Sequence, residues 1–256
     1  MRRLGAFSTL GCPELSAEGI ARLARDHGDL GVELRAAAGT PLNDGMSATA
    51  LAELADELRA TRLLSVSTYV LIADTAADDS DVVEGLLTAI DLARALGAPA
   101  IRVFAGGEGT ALPARRLRSA LAGTGPDVEI LLETHDSHST GRSVADVLDA
   151  VGDARCGAIW DVAHPWAVGE RPEHTLEALW PWLRYVQVKD EPSPTERTPV
   201  LLGEGGIPLE HMLDLLDDRG YSGVLSLEWE RAWHPSIPPL GDALSAAERW
   251  LESAGR

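Results

Sequence analysis

The chain is poor in cysteine, poor in positive charge and without a long apolar run. Cys12 and Cys156 are its two cysteines in 256 residues, and no CxxC occurs. Two cannot build a disulfide framework in a chain this long, so they read as small buried hydrophobes or free thiols. Lysine and arginine total 22 against 40 acids, a net charge of −18. Such a surface repels a phosphate backbone and an anionic membrane, so neither nucleic acid nor membrane is an expected partner. A local basic pocket for a single phosphate stays open. No run approaches bilayer length. The start, MRRLGAFSTLG, has too short an apolar stretch for a signal peptide. The expected location is a reducing cytoplasm. No GxGxxG follows the first apolar run, GGEG near Gly106 lacks the full spacing, and no linker divides the chain.

What is present is a repeated alternation. Short Val/Ile/Leu-rich runs predict strands near Leu4–Ser8, Leu30–Leu34, Leu63–Thr68, Ala100–Phe104, Glu129–Glu133, Gly157–Asp161, Tyr185–Lys189 and Val224–Glu228. Between them lie helical patterns. SAEGIARLARDHG opens on Ser16 and SATALAELADELRA on Ser47, both N-cap residues. DDSDVVEGLLTAIDLARALG is acidic at its start and stops at Gly97. PLEHMLDLLDDRG opens with Pro208 and closes with Gly220, and GDALSAAERWLE is the last helix. The helices after the fourth, fifth and sixth strands have no clear boundaries. Parallel strands need crossovers, and eight strand–helix units in this length match one (β/α)8 TIM barrel, a single domain over residues 1–256. A doubly wound open sheet is the alternative. EPSPTERTPVLLGEGGIP reads as a long loop after the seventh strand.

Four apolar runs end abruptly in ionisable or amide groups: LLETHD, AIWD, YVQVKD and VLSLE. In a barrel, the C-terminal ends of all strands share one mouth. Glu133, Asp161, Gln187 and Glu228 then form an arc on strands five to eight. Three carboxylates in a partly buried site repel one another unless a cation or protons neutralise them. One divalent metal ion is the natural partner. Oxygen ligands suit Mn2+ or Mg2+, and nearby imidazoles allow Co2+ or Zn2+. Any one of these acids, taken alone, reads as a helix cap or a solvated loop residue.

The segments ETHDSHSTG, DVAHP, YVQVKD, LLGEGGIPL and GYSGVLSLEWE, with FSTLGCPELS and LGVELR, resemble the xylose isomerase-like TIM barrel superfamily over nearly the whole chain. It includes sugar isomerases and epimerases, dehydratases and endonuclease IV-type proteins. The resemblance implies a metal held by Glu133, Asp161, Gln187 and Glu228. Many relatives carry His where Gln187 stands. Hydroxypyruvate isomerase-like members carry Gln there, which softens a preference for Zn2+. The larger histidine set of endonuclease IV-type proteins is missing, which argues against DNA repair. The DxxH motif falls on Asp161 and His164, and in epimerase relatives this His contacts substrate oxygens.

Other residues have two readings each. His135 stands two beyond Glu133 and shares its side if the strand continues, a substrate or supporting contact. Asp136 and His138 fall in the loop that follows. Lys189 holds an oxyanion or phosphate, or pairs with Asp190 or Glu191. Glu33 and Arg35, ending the second strand, and Arg102 on the fourth bind substrate or form barrel ion pairs. Trp229 and Trp233 offer faces to a sugar or ring-bearing substrate, pack between barrel and last helix, or make a subunit contact, and Trp250 reads as packing. Trp160, Trp166, Trp180 and Trp182 read as core or interface.

With a metal holding adjacent carbonyl and hydroxyl oxygens, Glu133 and Glu228 are the acid/base pair for proton abstraction through an enediolate. The expected activity is a sugar isomerase or epimerase. A leaving group on the next carbon would make it a dehydratase of 3-dehydroshikimate or inosose type. A non-catalytic barrel subunit is the third reading. The expected ligand is a small carbohydrate or keto acid, and a homo-oligomer is compatible with everything above.

Overall fold

The computed structural model describes residues 4–43 and 45–254. The ends of the expected 1–256 domain, residues 1–3 and 255–256, lie outside them, as does residue 44. Eight strands close into an all-parallel barrel in chain order: Ala6–Ser8 (β1), Gly31–Arg35 (β2), Leu63–Leu71 (β3), Ala100–Phe104 (β4), Glu129–Glu133 (β5), Cys156–Asp161 (β6), Leu183–Val188 (β7) and Val224–Leu227 (β8). The closing pair, β1 with β8, sets Ala6 opposite Ser226. The open-sheet alternative is thereby excluded. The intervening helices are Ala17–Asp26 (α1), Ala48–Leu58 (α2), Asp79–Leu96 (α3), Ala111–Ala122 (α4), Gly141–Val151 (α5), Ala163–Ala167 (α6), Pro172–Leu179 (α7), Leu209–Asp218 (α8) and Leu240–Ser253 (α9).

Helix boundaries follow local chemistry. Ser16 and Ser47 cap α1 and α2, accepting from Gly19 N and Ala50 N. Gly97 ends α3 at φ 70°, where a side chain would strain the turn. The region after β6 breaks into two short helices, because Gly169 interrupts α6 and Pro172 starts α7. Strand ends differ modestly from expectation. The consequential difference is β3, which runs to Leu71 instead of Thr68, with a register shift against β4 between Ser67 and Leu71.

Two cores result from the two-residue alternation of a strand. Outward residues such as Val32, Leu34, Val103, Leu132, Trp160 and Val186 are buried in the main core cluster together with the helices. Each buried aliphatic side chain there is worth about 1.5–3 kcal/mol. Inside the barrel, Ala100, Leu131, Ile159 and Tyr185 form a small apolar floor. Above it, toward the C-terminal mouth, the inward residues turn polar.

Candidate active site

Counting by twos from the floor gives the polar layer directly. Leu131 leads to Glu133 and then His135. Ile159 leads to Asp161, and Tyr185 to Gln187 and Lys189. Ser226 leads to Glu228, and Ala100 to Arg102. Glu133, Asp161, Gln187 and Lys189 are at most 1% exposed, and Glu228 and Arg102 are 5%. Register agrees: Asp161 pairs with Gln187, and Gln187 with Ser226. Glu228 lies one residue beyond β8, but its N–H still donates to Val188 O at 3.1 Å, which holds it in the layer.

The four polar strand ends therefore meet. Glu133, Asp161 and Glu228 each offer a carboxylate oxygen within 4.8 Å of the other two. Gln187 donates from Nε2 to Glu33 Oε2 at 2.9 Å, with a longer contact of 3.4 Å to Glu228 Oε1. Its Oε1 is buried without a hydrogen-bond partner. Glu33 fixes that orientation. It accepts from Tyr185 Oη at 2.7 Å and from Ser226 Oγ as well. Burial, then repulsion from Glu228, push its carboxyl up to about 7. Glu133 is also held well above the usual carboxylate range, chiefly by burial, with Arg102 opposing.

Two cations serve the layer. Arg102 Nη1 donates to Glu133 Oε2 at 3.0 Å. Lys189 Nζ stands 2.8 Å from Asp161 Oδ2, 2.6 Å from Glu228 Oε2 and 2.5 Å from Glu230 Oε1. The partners expected for Lys189, Asp190 and Glu191, are not its partners. Asp190 is its immediate neighbour on the chain and bonds the following loop, and Glu191 makes a two-toothed pair with Arg197 at 2.8 and 3.0 Å.

Above the layer opens a cavity of about 260 Å3, just below the usual range for small-molecule sites. Glu133 and Glu228 are in its wall, and so are Arg102, His135 and Asp136. Asp161, Gln187, Lys189 and Glu33 lie behind it. Glu33 is fully buried beneath Gln187, where it positions an amide; it is not part of the cavity lining. His135 Nδ1 lies 2.8 Å from Asp136 Oδ1, and the ring sits between Phe104 and His164, with centroids at 4.1 and 4.2 Å. His164 Nε2 is 3.6 Å from Asp161 Oδ2, beyond hydrogen-bond reach. Burial, then the charge of Lys189, hold His164 well below the ordinary imidazole range. Glu133, His135 and His164 also offer ligand atoms within 4.8 Å of one another.

Tyr69, Leu71, Phe104, Ser67 and Ser8 complete most of the wall and were not singled out from sequence. Continuing the two-residue stride past the expected end of β3, from Ser65 through Ser67 to Tyr69 and Leu71, would have found three of them. Trp233 is in the wall and 55% exposed, whereas Trp229 is buried with its Nε1 donating to Pro238 O. Trp229 is therefore a packing residue. The GEGG segment, Gly203–Gly206, is absent from the lining.

The donor set fits a divalent cation. Glu133, Asp161, Glu228 and Glu230 outnumber Lys189 and Arg102, the two cations that pair with them, and a divalent ion would favour the ionised carboxylates. Gln187 Oε1, buried without a hydrogen-bond partner in the same polar layer, would add an oxygen donor to the three carboxylates.

Comparison with known proteins agrees with this architecture. A family model described as "Xylose isomerase-like TIM barrel" matches residues 21–254. No curated protein matches the sequence. Among solved structures, the IOLI protein with a binding zinc atom superposes with a TM-score of 0.79 at 16% identity, covering 97% of this chain and 96% of that one. A probable 3-DHS dehydratase, AsbF, involved in petrobactin synthesis from Bacillus anthracis, gives 0.75 at 21% identity, over 98% and 99% of the two chains. An L-ribulose 3-epimerase gives 0.75 at 19% identity, over 99% and 94%. At these identities the likeness is one of fold.

Proposed function

From the premise that this chain belongs to the xylose isomerase-like TIM barrel family, we propose that it is a metal-dependent isomerase or epimerase of a sugar or sugar-like keto compound. The observation that carries the reading is the convergence of Glu133, Asp161 and Glu228 at one barrel mouth, beside an unpartnered Gln187 oxygen. Relatives in fold include an L-ribulose 3-epimerase and a zinc-binding IOLI protein.

Glu133, Asp161, Gln187 and Glu228 would hold the metal, Mn2+ or Mg2+ by their oxygen chemistry, with Co2+ or Zn2+ allowed by the histidines. When bound, the ion supplies Lewis-acid polarisation of a substrate carbonyl. The remaining steps fall to the chain. Glu228 and Glu133 are the two carboxylates of the polar layer in the cavity wall, so they can reach a carbon held there. One removes the proton beside the carbonyl, and the other, or the same one, returns it. Arg102 keeps Glu133 oriented through its 3.0 Å bond. His135, with Phe104 and His164 against its ring, presents a nitrogen to substrate oxygens, and His164 braces it.

A second reading is dehydration, and His135 favours it. The imidazole stands in the cavity wall beside the Asp136 carboxylate, a third acid/base group able to protonate a leaving hydroxyl. A probable 3-DHS dehydratase is among the relatives in fold. Turnover in D2O separates the two. Isomerisation or epimerisation predicts deuterium on the carbon beside the carbonyl in product and recovered ketose. Dehydration predicts loss of water and a conjugated product. Glu228→Gln should abolish either activity while the circular dichroism spectrum is kept. Normal turnover in that variant would remove Glu228 from the chemistry.

A further inference from the structure

The cavity wall sets two guanidiniums, Arg35 and Arg102, beside three carboxylates, and carries more aromatic surface than a neutral polyol needs. Register explains how. Arg35 on β2 pairs with Ser67 on β3, and Ser67 pairs with Arg102 on β4. Three adjacent strands thus set a guanidinium, a hydroxyl and a second guanidinium in one row, and all three residues line the cavity. Ser67 is 3% exposed, and among the described residues its hydroxyl has no hydrogen-bond partner.

Arg35 has no carboxylate partner among the described residues, in a chain with 40 acids. It is held by neutral groups. Its Nε donates to Tyr69 Oη at 2.6 Å, and its Cζ lies 4.8 Å from the Trp233 ring centroid and 5.3 Å from that of Tyr69. A guanidinium braced by rings keeps its remaining N–H groups free for an oxyanion. Two of the wall's carboxylates are engaged elsewhere, Glu133 with Arg102 and Glu228 with Lys189, while Asp136 lies beside His135 Nδ1 without a hydrogen bond to it. Tyr69, Leu71 and Trp233, three of the four large exposed hydrophobic residues among those described, also border this cavity. Apolar surface gathered at one mouth marks a contact site.

We propose that Arg35, Ser67 and Arg102 form a subsite for an anionic oxygen group of the substrate, a carboxylate or a phosphate, whose carbon frame lies against Tyr69 and Trp233. The subsite rests on the cavity being the substrate site, and it narrows the substrate from sugars in general to an acid or phosphorylated polyol or keto compound. Arg35 and Ser67 would decide specificity.

Calorimetric titration of the full chain with matched probes tests this. Quinate against methyl quinate reports a carboxylate, and D-fructose 6-phosphate against D-fructose reports a phosphate. At least one anion should bind more tightly than its neutral partner. Arg35→Met should weaken that anion about ten- to hundredfold, the range of a charge-assisted hydrogen bond, and leave the neutral partner within about twofold. Arg35→Lys should recover part of the loss, and Ser67→Ala should cost a few-fold. Neutral and charged probes binding alike, or falling equally in Arg35→Met, would overturn the subsite. Metal content read on the same samples keeps the two proposals apart. Metal retained with no anion preference ends the subsite alone, and an Arg35-dependent preference without metal leaves the subsite standing and ends the metal centre.

Discussion

Lys189 is the residue on which the site's electrostatics turn. Burial lowers the pKa of an isolated lysine, yet Asp161, Glu228 and Glu230 outweigh it and hold Lys189 well above its ordinary value. It is an ammonium sharing two carboxylates with the proposed metal, so the two cations compete. Lys189→Met should therefore tighten Mn2+ binding. It should also destabilise the metal-free protein by about 3–5 kcal/mol, the usual cost of orphaning buried charges. Titration calorimetry and thermal melts with and without Mn2+ check both, and weaker Mn2+ binding would contradict the competition. Of the two expectations for Lys189, the ion pair with Asp190 or Glu191 does not form. Successive strand residues point to opposite faces, so Asp190 could not join it.

At the element scale, the loop between β7 and α8 shows the same face change put to use. Asp190 faces away from the barrel interior and gathers the loop. Its Oδ2 accepts from Gly203 N and Gly205 N at 2.9 Å each, and its Oδ1 from Glu191 N at 3.0 Å and Ile207 N at 3.2 Å. A Cβ on Gly205 would lie 2.2 Å from Asp190 Oδ1. The GEGG segment is thus tied to the barrel. Asp190→Ala should cost at least about 2 kcal/mol through unsatisfied donors and speed hydrogen exchange at Gly203, Gly205 and Ile207. Unchanged exchange there would refute the anchoring role. The starts of α1 and α2 were legible in their caps, Ser16 and Ser47. α4 was not, since Thr110 makes no side-chain cap bond, and α5 was not, although Thr140 accepts from Ser143 N. Nor was the end of β3, although Thr68, Tyr69 and Val70 are all strand-favouring residues.

For the whole molecule, closure of the barrel converts a one-dimensional pattern into a site. Glu133, Asp161, Gln187 and Glu228 are spread over 96 positions of chain. They could be grouped from sequence only because parallel strands share one polar end. The cavity wall was less legible, because Arg35, Ser67 and Arg102 align through inter-strand register, which sequence does not display. No described helix is long and apolar enough to cross a membrane.

The proposed metal centre joins the polar strand ends of β5 to β8. Its most direct test is the divalent metal content of the purified, untagged protein, with Glu133→Gln and Glu228→Gln alongside. About one ion per chain is expected in the wild type, lost in both variants, with melting raised by Mn2+ in the wild type alone. No binding by the wild type after dialysis against excess Mn2+ would contradict it, and the barrel would then be read as a non-catalytic subunit whose acids are neutralised by Lys189 and Arg102.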